Sequence, residues 1–402
     1  MSSQTITFEQ LVNTRPENAF RAFTNATDMR RWLCNVATVV PRPGGRLYLW
    51  WNSGFYTSGE FKSVEPNTKI IFSWFGKGDP SPSEVQVTFT PKDDSTLVSL
   101  VHSGLGSGEQ WSESIAEIKK GWLGSLENLA SVIKSGEDIR FVSRPMLGVI
   151  IDDFNAEIAK KLGVPISEGI RLGGTVEGMG AAAAGLQEND VLSSIGTFPT
   201  IDFESLNLAL HAHRAGDTVE VSFYRGGEHK KVNMTLSGRP IPEIPPTAKE
   251  LSTAASKLYK DIEIRLDEFL SEVSDEEASF KPSPTDWSIK GNLAHFIQGE
   301  RFFHQYVAEL ISGYERYADD YGGNVDAIID ATIAAYPTAQ ELFQEYKRNT
   351  TETLNILANL PEEFVANKGA YWQLGFNLLQ DPYHFDSHLE QMQETLKKAR
   401  DQ

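Results

Sequence analysis

The chain reads as a multidomain α+β protein: an antiparallel sheet gripped by one long helix, a compact strand-rich module, and an all-α four-helix bundle. Three observations point there. At 402 residues the chain is too long for one ordinary core. Its apolar period is two residues in the early strands and lengthens to threes and fours from Trp111 onward. A stretch stiffened by four prolines, Gly238-Arg-Pro-Ile-Pro-Glu-Ile-Pro-Pro246, separates a mixed first part from a helical last part. The expected limits are 1–138 and 142–238 for the first two modules, 239–249 for the linker and 250–402 for the bundle.

In the first module a strand from Thr5 ends at Asn13-Thr-Arg-Pro16, and Pro16 suits the first turn of a helix over Glu17 to Phe23. Leu47 to Trp51 is strand-like after the turn Pro41-Arg-Pro-Gly-Gly45. Phe61 to Val64 and Lys69 to Trp74 flank Glu65-Pro-Asn67 as a hairpin. Val85, Val87 and Phe89 alternate with polar residues, as a half-buried strand does, and Thr96 to His102 is a further strand. Then Trp111, Ile115, Ile118, Trp122, Leu126, Leu129 and Ile133 mark one face of a long helix. Trp32, Pro43-Gly-Gly45, the strand ending at Trp74, Leu100-Val-His-Ser-Gly104 and Gly121-Trp122 with Leu126-Glu-Asn-Leu129 occur in order. By these residues the stretch resembles the SRPBCC (START-like) superfamily, among the relatives of the activator of the heat-shock protein 90 ATPase. The resemblance implies a helix-grip fold with a cavity for a hydrophobic small molecule, and Trp50, Trp51, Phe55, Tyr56, Trp74 and Phe75 are candidates to line it. The same rings could instead fill a core. His102, among apolar neighbours, reads as structural.

The second module begins with Arg144-Pro-Met-Leu-Gly-Val-Ile-Ile151 and ends in a strand pair, Thr218 to Tyr224 and Lys231 to Leu236. Between them, Ala181-Ala-Ala-Ala-Gly-Leu-Gln-Glu-Asn-Asp-Val-Leu192 is the specific run. It is similar to bacterial protease-associated PDZ domains, small β-sandwiches or partly open barrels, with Asn189 where the family usually has Gly. The resemblance implies that a partner's C-terminal tail adds as a strand. Its carboxylate would meet the backbone of Met146, Leu147, Gly148 and Val149, and Leu206 and Leu210 would line the pocket for its last side chain.

The third module opens with the stripe Leu258, Ile262, Leu266, Phe269 and Leu270. Ser288 can cap a helix from Ile289, and two more helices follow, Thr338 to Leu360 and Pro382 to Ala399. His384 and His388 lie four apart on one face of the last helix, a spacing that can close on one divalent metal. The run Pro284 to His295, taken with His384 to Gln391, resembles the DinB/YfiT-like metal-binding bundles, and that resemblance implies His295 as a third ligand. His304, nine residues past His295, falls on the opposite helix face at about 100° per residue. Asp381 and Gln391 are candidates to hold the ligand rings from behind. Three imidazoles suit zinc, nickel or iron without choosing among them and leave room for water or substrate.

A net charge of −18 argues against nucleic-acid and anionic-membrane partners, which need basic surfaces. Cys34 is the only cysteine, so no intramolecular disulfide or cysteine metal cluster can form. No signal peptide or membrane span is evident, and the expectation is cytoplasmic. No nucleophile–base pair or phosphate loop stands out, so the catalytic residues are unassigned. The leading expectation is a modular protein with a hydrophobic cavity, a peptide site and a metal site. From the bundle's relatives, the alternative is a metal- and thiol-dependent transferase or isomerase of detoxification type, using a low-molecular-weight thiol. From the first module's relatives, a weaker alternative is a chaperone-linked cofactor.

Overall fold

The structure, a computed structural model, describes residues 4–316, 325–380 and 382–401. Met1–Asp138 and Pro242–Gln402 form one compact unit, and Ile139–Ile241 form a second. No helix among the described residues is long and apolar enough to cross a membrane.

The first domain is a seven-stranded antiparallel sheet and a long helix. Its strands are β1 (Gln4–Val12), β2 (Val36–Val39), β3 (Arg46–Trp50), β4 (Tyr56–Glu65), β5 (Lys69–Gly76), β6 (Ser83–Lys92) and β7 (Ser95–Leu105). They lie in the order β1-β7-β6-β5-β4-β3-β2. Two short helices, α1 (Pro16–Thr24) and α2 (Ala26–Trp32), link β1 to β2, and α3 (Glu109–Ser135) follows β7. The α3 residues Trp111, Ile115, Ile118, Trp122, Leu126 and Leu129 are buried in one core with the inward-facing residues of the sheet. Each such large apolar side chain contributes roughly 1.5–3 kcal/mol by leaving water. Asn128 Nδ2 donates to the Trp32 carbonyl at 2.8 Å, tying α3 to α2, and Gly136 in the left-handed region ends α3.

The second unit contains α4 (Ile139–Val142), β8 (Pro145–Met146), β9 (Val149–Asp152), α5 (Ala156–Leu162), β10 (Ile170–Thr175), α6 (Gly180–Ala183), β11 (Val191–Ile195) and β12 (Phe198–Pro199). It continues with α7 (Phe203–His211), β13 (Thr218–Arg225), β14 (Glu228–Thr235) and β15 (Ser237–Gly238). The main sheet runs β14-β13-β11-β10-β9, with β12 beside β11, so β9 is an edge strand. The Asn-Asp pair of its sequence motif has a physical reason. Asn189 sits at φ 67, a backbone region asparagine tolerates better than most residues. Asp190 is fully buried, and Arg225 donates to both its carboxylate oxygens at 2.8 Å, which locks the β13–β14 hairpin to the turn.

The bundle is built on α8 (Ala248–Leu270), α10 (Ile289–Ser312), α12 (Ala339–Ala358) and α15 (Pro382–Arg400), with α9 (Asp275–Ser279), α11 (Asp326–Ala335), α13 (Glu362–Ala366) and α14 (Lys368–Leu379) between them. Ser288 caps α10 by accepting from Gly291 N at 3.0 Å. Lys290, buried, donates to Asp275 at 2.7 Å and to the Pro337 carbonyl at 2.6 Å, pinning the start of α10 to α9 and to the turn before α12. Helices α11 and α14 are not among those expected from the apolar periodicity. Helix α14 has no clear polar face because it is covered on several sides: it packs against α8 of the bundle and against α2 and α3 of the first domain. There Arg31 Nε donates to Gln373 Oε1 at 3.2 Å, and Arg30 pairs with Glu315 at 3.3 Å, so the two domains share an interface.

Candidate metal centre

Helix α10 presents His295 on the turn after its capped start, and α15 presents His384 and His388 one turn apart. The His384 Nε2 lies 3.2 Å from His388 Nε2 and 3.4 Å from His295 Nε2. One ligand nitrogen from each of the three rings falls within 4.8 Å of the others. Nitrogens at 2.0–2.1 Å from a shared tetrahedral ion stand about 3.4 Å apart, so these spacings fit a divalent cation with three imidazole ligands. The donor set suits it as well. Burial, and after it the neighbouring His384, lowers the pKa of His388 from its ordinary value, which favours the neutral imidazole that a metal takes.

The rings are oriented from behind. Asn292 is fully buried, and its Oδ1 sits 2.8 Å from His388 Nδ1. Its Nδ2 donates to the Ser288 carbonyl at 3.1 Å, which fixes the amide and leaves Oδ1 as acceptor. His388 therefore carries its proton on Nδ1 and turns the Nε2 lone pair towards the other two rings. Gln391 Oε1 is also near that Nδ1, at 3.3 Å, a longer approach than that of Asn292. Asp381 lies outside the described residues. Trp287 stacks on His388 at 6.0 Å between centroids and packs on His295 at 5.0 Å, and Phe296 meets His388 edge-on at 5.5 Å. One side of the cluster stays open, since His384 is exposed. Sequence reasoning missed Asn292 and Trp287. The available signal was position: Asn292 precedes His295 by three residues, one turn away on the same face. His304 points elsewhere, its Nε2 lying 2.7 Å from Thr353 Oγ1.

The first domain holds a cavity of about 500 Å³ between the sheet and α3. Of the six aromatic residues proposed to line it, Trp51, Phe55 and Trp74 do, joined by Trp122, Ile118 and Leu33. Trp50, Tyr56 and Phe75 are not among its lining residues, which strand alternation explains. Leu47 and Leu49 are buried inward, so Trp50 faces outward opposite its partner Tyr56, and inward Trp74 sends its neighbour Phe75 out to 44% exposure. Beside the cavity, His102 is fully buried. Trp122 Nε1 donates to its Nδ1 at 3.2 Å, and its Nε2 meets Ser83 Oγ at 2.7 Å, so it is neutral with the proton on Nε2. Burial pushes its pKa down to about 4.

In the second unit Gly148 has φ 76, and a Cβ there would stand 2.2 Å from Met179 Cβ, so the Met146-Leu147-Gly148-Val149 turn requires glycine. Leu147 and Leu206 are buried in the core, with Leu210 packed at its margin. Leu206, expected to line the pocket for a tail's last side chain, is 2% exposed in this structure. On edge strand β9, by contrast, Ile150 and Ile151 are exposed.

A helix-grip domain, a PDZ-type sheet with an open edge and a helical bundle carrying three convergent histidines define a modular protein. The family assignments follow the same order: the chain matches the Activator of Hsp90 ATPase homolog 1-like protein family over residues 13–134, the PDZ domain over 148–236 and the DinB superfamily over 259–392. It is 27% identical over 146 residues to the Serine protease Do-like HtrA of Lactococcus lactis subsp. cremoris, covering 35% of this chain and 35% of that protein. A probable periplasmic serine endoprotease DegP-like of Rhizobium meliloti is 30% identical over 131 residues, covering 33% of this chain and 24% of that protein. The chain thus spans about a third or less of the length of these curated relatives. Among solved structures, an HSP90 activator from Plasmodium falciparum is 25% identical, covering 32% of this chain and 95% of that one, with a TM-score of 0.29.

Proposed function

We propose that this is a modular protein whose bundle binds one divalent metal ion through His295, His384 and His388. In the same proposal the first domain takes up a hydrophobic small molecule, and the PDZ domain receives a partner's C-terminal tail along β9. The domain limits 1–138, 142–238 and 250–402 and a cytoplasmic setting belong to this reading. The observation that carries it is the approach of the ring nitrogens, 3.2 and 3.4 Å around His384, with Asn292 holding His388 in the ligand tautomer. Zinc, nickel and iron all suit such a donor set.

A second reading, a thiol-dependent transferase or isomerase, is favoured by the open side of the cluster at exposed His384. A bound divalent cation lowers the pKa of a thiol or water that approaches it. The chain's own part is to orient His388 through Asn292 and to shield two of the rings with Trp287 and Phe296.

The test is to prepare the protein metal-replete, measure bound metal, and assay conjugation of low-molecular-weight thiols to electrophiles. One metal per chain is expected, lost in His388→Ala together with any conjugation. Stoichiometric metal without conjugation supports the binding reading, and conjugation that survives replacement of all three histidines sinks the metal enzyme. For the PDZ domain, apolar-ended peptides with a free carboxylate should bind and their amidated forms should not; equal binding removes the tail-capture reading.

A further inference from the structure

The first domain's cavity has a pronounced division of character. Its inner wall is aromatic: Trp51 packs 5.3 Å from Phe55 and 6.4 Å from Trp74, and Trp74 lies 5.3 Å from Trp122, centroid to centroid. Its lining also includes Asp79, Glu113 and Glu117 against a single basic residue, Lys77. Lys77 donates to the Gly54 carbonyl at 3.0 Å, so its ammonium is engaged by backbone. Asp79 accepts from Gly76 N at 2.8 Å, which holds its carboxylate at the end of β5. Glu113 and Glu117 are exposed, one turn apart on α3. Trp74 is 5% exposed, and its ring is part of the wall.

From this arrangement we infer that the cavity selects an amine: an aromatic molecule carrying one protonated amino group. The aromatic body lies against Trp51, Phe55, Trp74 and Trp122, and the cation sits between the ring faces and the carboxylates of Asp79, Glu113 and Glu117. Ring faces carry negative quadrupole potential, so they attract a cation as the carboxylates do and give an anion nothing. Beside half-buried Asp79 and the ring faces the attraction is stronger than on open surface, and exposed Glu113 and Glu117 add a weaker, salt-screened pull. An anionic ligand would meet three carboxylates and a lysine already engaged. This inference rests on the cavity reading proposed above and adds the ligand's charge.

Three near-isosteric probes separate the two ideas: tryptamine, tryptophol and indoleacetic acid, which are cationic, neutral and anionic at pH 7. Calorimetric titration of the full chain is expected to rank them in that order, with tryptamine about tenfold tighter than tryptophol. The Glu113→Gln/Glu117→Gln double variant, both changes at exposed positions, should lose most of that preference while binding tryptophol unchanged. Trp51→Ala should weaken all three, with near-ultraviolet circular dichroism verifying its fold. If the three probes bind equally, or indoleacetic acid binds best, the amine inference is overturned and the cavity reading stands. If none binds at millimolar concentration, both fall.

Discussion

His102 of the first domain and the trio His295, His384 and His388 of the bundle are chemically opposite. His102 has a protein partner on each ring nitrogen: it accepts from Trp122 and meets Ser83, which itself donates to the Trp74 carbonyl at 3.2 Å. It needs nothing more. In the bundle, one nitrogen of His388 is held by Asn292, and the other lies 3.2 Å from His384 Nε2, which in turn lies 3.4 Å from His295 Nε2. Three imidazole edges turned on one another are satisfied together by a cation and poorly by one another. A histidine's role is therefore read from where its second nitrogen points, more than from its burial.

The largest expected effect separates the two groups by metal alone. Adding zinc to chelator-treated protein should stabilise the bundle by about 4 kcal/mol at a free concentration about a thousand times Kd. The first domain's tryptophans report whether that gain is local. Differential scanning calorimetry with and without metal checks it, and an unmoved bundle transition would remove the distinction between the two groups.

Somewhat smaller is the pH response of His102. Its folded pKa, about 4, lies below its ordinary 6.5, so the unfolded chain binds the proton more readily between these values. Its stabilising contribution is full above pH 6.5, falls as pH drops through the window and is lost by about pH 4. A shift of this size corresponds to about 3 kcal/mol. Unfolding followed by tryptophan fluorescence should show that dependence in the wild type and a flatter one in His102→Gln. Parallel profiles would mean that His102 stays neutral for no energetic reason.

Smaller again is the effect of Asn292→Ala, which removes the group that fixes the His388 tautomer and keeps all three ligands. Metal affinity should fall about 10–100-fold, the usual cost of losing such a partner. Competition with a chelator of known affinity measures it. Affinity equal to the wild type would show that Gln391, at 3.3 Å, suffices.

How much of this was legible depends on what periodicity encodes. The sheet, α3 and the four main bundle helices were readable because each has one wet and one dry face. Helix α14 was not, since its burial by two domains erased the pattern. The cavity aromatics were readable as a set but not by face: Trp74 and Phe75 are adjacent in sequence and diverge only once the strand register is known. At the metal site, spacing placed His384 and His388 on one face, and family resemblance suggested His295. Asn292 was hidden because an asparagine one turn before a histidine is unremarkable until another helix brings a ring to it.

The smallest effect expected is none, and it bears directly on the comparison. His304 shares α10 with His295 but lies on the other face, where its Nε2 meets Thr353 Oγ1 at 2.7 Å. Thr353 in turn donates to Glu300 Oε2 at 2.6 Å, and Tyr259 donates to the same oxygen at 3.1 Å. This chain of bonds consumes the His304 nitrogen inside the bundle, so His304 belongs with His102 despite its place on a ligand-bearing helix. His304→Gln, which can keep a donor towards Thr353, should leave bound metal at the wild-type ratio. A loss of metal in that variant, with the helical spectrum intact, would mean that the two faces of α10 communicate and that the second-nitrogen criterion is too local.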